Sequence, residues 1–457
     1  MLNRRNTLLA GLLGFDSIAL RALATGLPAW FIANPRKATA QSLQCAIDAK
    51  ENLQYLILST SSNGDPMNCN TPGTYEAPEI IHPMQPEMAA TQVALGAKTY
   101  GAALPWAGTD VGGKLAPAVL ARTCFFHHST RSTVHGDQPK VMKLLGAVGK
   151  GEMMVSAYAK HLAGCFATVQ PEPVAVGARG NASEMVSFAG RSLPSISPTQ
   201  LKQMLTGTKN NPLTKLRTVR DSSLNKLNEL AKSSGNNVQK QFLDTLASSR
   251  LQVRSLADQL ATTLNAITSD DVNGQALAAA ALFSANVTPV VTMHIGFGGD
   301  NHTDQDLQGE ATQHVSGVAG IQAVMTALAN AGLADKVTFA TLNVFGRNLN
   351  NLAKVEARTG RDHYGNHAVT VMIGKNVAPG VIGGVMKATS GSYTASDIDS
   401  ASGAASVGGD IPAAQTHLAV ARTLGVALGI PSDQVSGDFN VAAGGKVVNA
   451  ALSGVSG

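Results

Sequence analysis

Residues 360–367 read GRDHYGNH, which sets a carboxylate beside an imidazole at Asp362–His363 and puts a second imidazole at His367. Four other short stretches hold the same kind of donors. STSSNGDPMNCN (59–70) carries Asp65, and HHSTRSTVHGDQ (127–138) carries three His together with Thr130, Ser132, Thr133 and Asp137. GGDNHTDQD (298–306) carries Asp300 and His302, and FGRNLNN (345–351) carries Arg347. Carboxylate oxygens mixed with imidazole nitrogens suit a hard or borderline divalent cation. An isolated Asp–His pair in a Gly-rich loop is ordinarily turn chemistry. Three His and several hydroxyls within residues 127–137 are harder to explain as packing.

Scattered donors act together only if the fold gathers them. Five apolar runs rich in β-branched residues precede or follow these stretches: 53–59, 116–126, 287–297, 336–346 and 368–374. Their apolar character is continuous rather than alternating, which fits strands buried on both faces of a parallel sheet. Helical patterns such as GVAGIQAVMTALANAGL (317–333) lie between them. The expected fold is therefore α/β, a doubly wound and mostly parallel sheet. In such sheets ligands bind beyond the carboxyl ends of the strands, which is where four of the polar stretches fall. Asp362, His363 and His367 precede a strand, and reach that edge only if residues 347–367 loop over it.

Residues 197–268 depart from the pattern. They are rich in Lys, Gln, Ser and Leu, with Leu224, Leu227 and Leu230, then Leu243 and Leu246, at helical spacing. Ser197 before Pro198 is a good helix start. This reads as an insertion of two or three amphipathic helices with no catalytic role. The Gly/Ala/Ser-rich stretch 389–410 reads as a long loop, and 411–430 as a closing helix.

Composition narrows the function classes. The 457 residues are 44% hydrophobic but only 14% charged, a globular composition. Residues 1–40 hold Arg4, Arg5, Arg21, Arg36 and Lys37 against Asp16, leaving 30 basic and 29 acidic residues in the remainder. That balance gives no electrostatic reason to bind nucleic acid. Paired Arg4–Arg5, an apolar stretch and the small-residue run Ala38–Ala40 have the layout of a signal peptide of the twin-arginine type, cleaved before Gln41. The expected partner is the twin-arginine export machinery, and the expected location periplasmic or secreted. Residues 41–457 would be the mature domain, without a membrane span. Four Cys (Cys45, Cys69, Cys124, Cys165) allow three pairings and include no CxxC. The cysteines read either as buried free thiols or as including one disulfide, for which Cys45–Cys69, the closest pair in sequence, is favoured.

The order of these pieces resembles an exported bacterial family of unknown function with a twin-arginine leader and a core similar to the alkaline phosphatase and sulfatase superfamily. The likeness rests on Asp65, GFGGDNH at 296–302, FGR at 345–347, GRDH at 360–363 and PGVIGG at 379–384, and spans most of the mature chain. It implies two divalent metal ions, zinc foremost. Asp65, Asp362 and His363 would hold one, Asp300 and His302 the other, with His367 as an extra ligand. It implies Thr133 or Ser132 as nucleophile, with His135 close by, and Arg347 gripping a phosphate or sulfate ester; the alternative for Arg347 is a structural ion pair. The sequence departs from the family pattern at Asn343–Val344, where Ser–Glu is expected, and in the order of SSNGDP. The alternatives are a non-catalytic exported scaffold and a metal-dependent isomerase of the phosphomutase type.

Overall fold

Whether a polar loop reaches a given edge of a sheet depends on the direction of the strand it serves. The computed structural model describes residue 45 and residues 47–108, 112–177, 186–206, 260–350, 359–389, 391–439 and 444–457, with scattered helical positions between 222 and 240. The expected leader, residues 1–40, lies outside the described residues. The strands that matter are β1 (Tyr55–Ser61), β2 (Thr123–His128), β3 (Val174–Ala175), β4 (Val290–Met293), β5 (Val337–Asn343), β6 (Gly346–Arg347), β7 (His363–Tyr364), β8 (Ala368–Ile373) and β9 (Gly380–Ile382). The main helices are α1 (Met154–Phe166), α2 (Pro198–Thr206), α3 (Val272–Ser284), α4 (Gln308–Asn330) and α5 (Thr416–Ala427).

Seven strands make one sheet in the order β9-β2-β8-β5-β1-β4-β3. Its pairings are parallel except for the two that β8 makes with β2 and β5. Period-2 alternation divides each central strand between two cores. Tyr55 and Ile57 of β1 and Val337 and Phe339 of β5 pack with Phe283 of α3 and Val324 of α4. Leu56, Leu58, Ala340 and Leu342 face the other way, onto Leu162 of α1 and Leu424 of α5. Both faces being covered explains why the runs are apolar throughout.

The direction of β8 also accounts for the position of GRDHYGNH. Because β8 runs antiparallel to β5, its start lies at the same edge as the ends of β1, β2, β4 and β5. The segment before β8 and the segments after the other four therefore meet there. The run 116–126 is shorter as a strand than expected. Pro117 starts a helical turn, Pro117–Leu120, and the strand begins at Thr123, since proline's fixed φ suits the first position of a helix. Residues 389–410 are not all loop: Tyr393–Ala395 pairs with Val385–Lys387. In the insertion, Ser197 Oγ accepts the Gln200 N–H (3.3 Å) at the start of α2. Leu227 and Leu230 are exposed, and Leu224, Leu243 and Leu246 lie outside the described residues. Among the described residues no helix is long and apolar enough to cross a membrane.

The disulfide joins Cys45 to Cys165, 120 residues apart, and not to Cys69, which is a free buried thiol beside Arg347. Nearness in sequence misled because α1 carries Cys165 back to the segment that precedes β1. Closing so long a loop constrains the unfolded chain, and disulfides typically contribute ~2–4 kcal/mol. Cys165→Ser is expected to lower the urea midpoint by a matching amount, and reductant should do the same to the native chain but not to the variant.

Five buried imidazoles, His127, His128, His314, His367 and His417, and the partly buried His82 have pKa values lowered chiefly by desolvation. His82 and His127 fall to about 4 and His314 to about 3. Below the unfolded value near 6.5, the unfolded chain binds protons that the folded chain refuses, so stability is lost as pH falls. His314 has no hydrogen-bond partner among the described residues at either ring nitrogen and sits between Trp106 and Phe297. His314→Phe should therefore leave stability at pH 8 little changed and protect the fold at pH 5 by about 2 kcal/mol. Urea melts at the two pH values check this, and an equal effect at both would contradict it.

Candidate metal centre

Five loops converge at the edge just described. The loop after β2 turns through Arg131, whose φ of 56° is unusual for a residue with a side chain. The turn is held by the Arg131 N–H and Ser129 Oγ–H, which both donate to the Gly365 carbonyl (2.8 and 2.9 Å). The loop after β4 lies against the segment before β7: Gly360 N–H donates to the His302 carbonyl and Arg361 N–H to the Asn301 carbonyl, both at 3.0 Å. β6 and β7 pair with Arg347 opposite His363.

These constraints bring His135, Asp300 and His363 together, with one ligand atom of each lying within 4.8 Å of the others. Asp300 is half exposed, its side chain 50% accessible. Its Oδ1 lies 3.1 Å from His363 Nε2 and 3.0 Å from His302 Nε2, and its Oδ2 lies 3.6 Å from His135 Nε2. The far side of each ring is anchored. His363 Nδ1–H donates to the Thr133 carbonyl (2.8 Å) and His135 Nδ1–H to the Ser62 carbonyl (2.7 Å). His302 Nδ1 faces the Asp362 carboxylate at 3.3 Å.

Carbonyls can only accept, so the rings of His135 and His363 carry an N–H on Nδ1, and in its neutral form each ring turns a bare Nε2 toward Asp300. His302, with Nδ1 toward a carboxylate, does the same. His302 Nε2 and His363 Nε2 are 2.9 Å apart, so neutral rings would set two lone pairs and a carboxylate oxygen against one another. A positive charge among them resolves that conflict. The donor set fits a divalent cation: imidazole Nε2 atoms oriented by oxygen acceptors on Nδ1, plus a carboxylate, are the usual arrangement around protein-bound zinc.

Arg347 holds Asp300 in place. Its side chain is fully buried, and Nη2 donates to Asp300 Oδ1 (3.0 Å), to the Gly299 carbonyl (3.1 Å) and to the Asn63 carbonyl (2.9 Å). Nε donates to the Gly64 carbonyl and Nη1 to that of Arg361. A fork so engaged is not presented to an ester, so of the two expected roles the structural ion pair is the one seen. Desolvation would raise the Asp300 pKa, but the hydrogen bond and charge of Arg347, together with the flanking imidazoles of His363 and His302, hold it at about 2. Phe345 floors the cluster, stacking on His363 with centroids 4.4 Å apart and meeting His135 edge-on. Gly64, at φ 63°, lets the loop pass over this ring; any Cβ there would collide with Phe345.

The remaining expected residues are placed as follows. Asp65 is buried outside the three-residue group, accepting from Ser61 Oγ (3.2 Å) and Phe297 N–H (3.3 Å). Desolvation raises its pKa, opposed by the nearby His294, those hydrogen bonds and Arg347. Asp362 orients His302 instead of sharing a site with Asp65. The expected division into two ligand sets is thus not the one seen: His363 faces Asp300, because β7 pairs it with Arg347. His367 is not beside Asp300 at all but is sealed against His127 and Asn68, because it lies on the entry to β8 and points into the sheet. Ser132 Oγ–H donates to Asp137 (2.8 Å) and its oxygen accepts the Val134 N–H (3.3 Å), a turn-stabilising role. Thr133 is exposed. Val344, where an acid is expected, is wholly buried in the core.

Two contributors escaped the sequence reading. His294 looked like part of an apolar run, yet its Nδ1–H donates to the Thr60 carbonyl (2.8 Å) beside Asp65. Glu310, which no sequence motif singled out, forms a fully buried two-point pair with Arg361 (2.7 and 3.1 Å). Its carboxylate also accepts from Asn301 (3.1 Å) and Asn70 (2.7 Å). Asn301 and Arg361 adjoin Asp300, His302 and Asp362 in sequence, so this pair ties both donor-bearing loops together.

Fold and site define an α/β protein with a mostly parallel sheet whose polar edge gathers imidazoles around a carboxylate. A family described as a protein of unknown function (DUF1501) matches residues 147–401. That is more than half of the chain, and the chain belongs to this family. Asp300, His302, Arg347, Asp362 and His363 lie inside the matched span, and Asp65 and His135 outside it. No curated protein matches the chain.

Proposed function

We propose that the chain is an exported metal-dependent hydrolase of phosphate or sulfate esters. The observation that carries the reading is the meeting of Asp300 with three oriented imidazoles, two of whose Nε2 atoms are 2.9 Å apart. His135, Asp300 and His363 would hold the ion, with His302 beside them. Zinc is favoured by the imidazole content. When bound, the ion supplies Lewis-acid polarisation of an ester oxygen and offsets the charge that develops there. Arg347 fixes the Asp300 carboxylate, the Thr133 and Ser62 carbonyls fix the rings, and the half-exposed Asp300 leaves a face for substrate. Thr133 is the hydroxyl assigned to in-line attack, since that of Ser132 is engaged by Asp137.

A likeness to the alkaline phosphatase and sulfatase core belongs to the same proposal, supported by the parallel strands and by Asp and His at their carboxyl edge. Export is supported by the paired Arg4–Arg5 and by the disulfide, a bond that persists in oxidising compartments. One observation favours a second reading, a non-catalytic scaffold: Val344 is buried where an acid would serve a second metal. Assaying the purified protein against aryl phosphates and aryl sulfates separates the two. Cleavage that is lost in Thr133→Ala and Asp300→Ala supports the hydrolase, and metal binding without cleavage supports the scaffold.

A further inference from the structure

His367 lies close to the candidate centre in sequence but away from it in space, and its surroundings point to another task. It is fully buried, as are His127, Asn68 and Arg347. The hydrogen bonds among them can be assigned from one end. His127 Nε2 is 2.9 Å from the Pro72 carbonyl, which only accepts, so His127 carries its proton on Nε2 and leaves Nδ1 bare. That bare Nδ1 is 3.0 Å from His367 Nε2, which must then be the donor. His367 Nδ1 is left as an acceptor, and Asn68 Nδ2–H supplies it at 3.0 Å. The second Asn68 N–H donates to the Arg347 carbonyl (2.9 Å), while Asn68 Oδ1 accepts the Arg347 N–H (2.9 Å). From Asn68 through His367 and His127 to the Pro72 carbonyl, each donor points the same way.

Asn68 therefore clasps both main-chain groups of Arg347, as a neighbouring strand would. Arg347 faces His363 in the β6–β7 ladder and donates to Asp300 through its side chain. Gly346 makes the clasp possible, because a Cβ at that position would run into the Asn68 side chain and the His367 carbonyl. We propose that His127, His367 and Asn68 form a one-directional hydrogen-bond relay whose role is to position Arg347, and through it Asp300 and His363. His127 and His367 are positioning residues, not cation ligands. The cation-affinity part of the proposal rests on the metal reading given above; the tautomers do not.

The test uses the purified full chain labelled with 15N-histidine. In wild type, both His127 and His367 should show Nε2–H and a bare, acceptor-type Nδ1. A proton on Nδ1 of either ring would overturn the relay, whether or not the chain binds metal. Asn68→Asp removes the donor to His367 and keeps the acceptor for Arg347, so the His367 Nδ1 resonance should move to the protonated position; an unchanged resonance would contradict the assignment. His367→Phe, in protein that retains native circular dichroism, should weaken zinc binding at least about threefold in a chelator competition, less than the ~10–100-fold typical of a group bonded directly to a ligand. Affinity within twofold of wild type would overturn the positioning role. A wild-type chain that takes up no zinc would instead defeat the metal reading, and the tautomer measurement would still decide the relay.

Discussion

Asp300→Ala is expected to abolish aryl ester cleavage, lowering kcat/KM at least about a thousandfold. Asp300 is the one group that all the oriented imidazoles face. Without it His302 and His363 retain two Nε2 atoms 2.9 Å apart and no anion to hold a cation between them. Several kcal/mol of transition-state stabilisation depends on such an ion, and a thousandfold loss corresponds to ~4 kcal/mol. Asp300→Asn separates charge from shape. It keeps an acceptor for Arg347 but loses the charge, so it should be nearly as inactive as the Ala variant while melting close to wild type. The Asp300 pKa of about 2 means that its carboxylate is charged throughout the neutral and mildly acidic range. Any acid limb in the rate profile must then come from other groups. Activity within tenfold of wild type in Asp300→Asn would move the chemistry elsewhere.

The second large effect concerns the buried Glu310–Arg361 pair. Glu310→Ala leaves the Arg361 guanidinium in the interior with, among the described residues, only the carbonyls of Asn348, Leu349 and Ile81 as partners. It also strips acceptors from Asn70 and Asn301. Removing one member of a buried, hydrogen-bonded pair typically costs 3–5 kcal/mol, and urea unfolding should show a loss of about that size. Replacing both members, by Leu and Met, should recover only part of it, because the orphaned amides and carbonyls remain. A loss under about 1 kcal/mol for Glu310→Ala would mean that water reaches the pair. Because Asn301 stands between Asp300 and His302, the variant should bind metal more weakly even where it stays folded.

What could be read from the sequence follows from what each signal depends on. Continuous apolar runs arise from burial on both faces, so β1, β5 and β8 were visible, and with them the α/β class. The polar edge was visible for the same reason, since donors at strand ends are adjacent in sequence to the strands that position them. Partnerships were not visible. The reversed direction of β8 is set by pairing with β2 and β5, and no local pattern encodes it, yet it decides that Asp362 and His363 share the edge while His367 turns inward. Arg347 looks the same in sequence whether it grips a substrate or a carboxylate, and only its burial separates the two. The disulfide depends on where α1 ends in space, which the spacing of cysteines does not reveal.

The most direct measurement is the metal content of the purified protein, determined by elemental mass spectrometry on protein never exposed to chelator. The account predicts a divalent ion, zinc foremost, bound at about one per chain in wild type, and its loss in Asp300→Ala and in His363→Ala with the fold intact. Wild-type protein free of divalent metal, or variants that keep the ion in full, would contradict it.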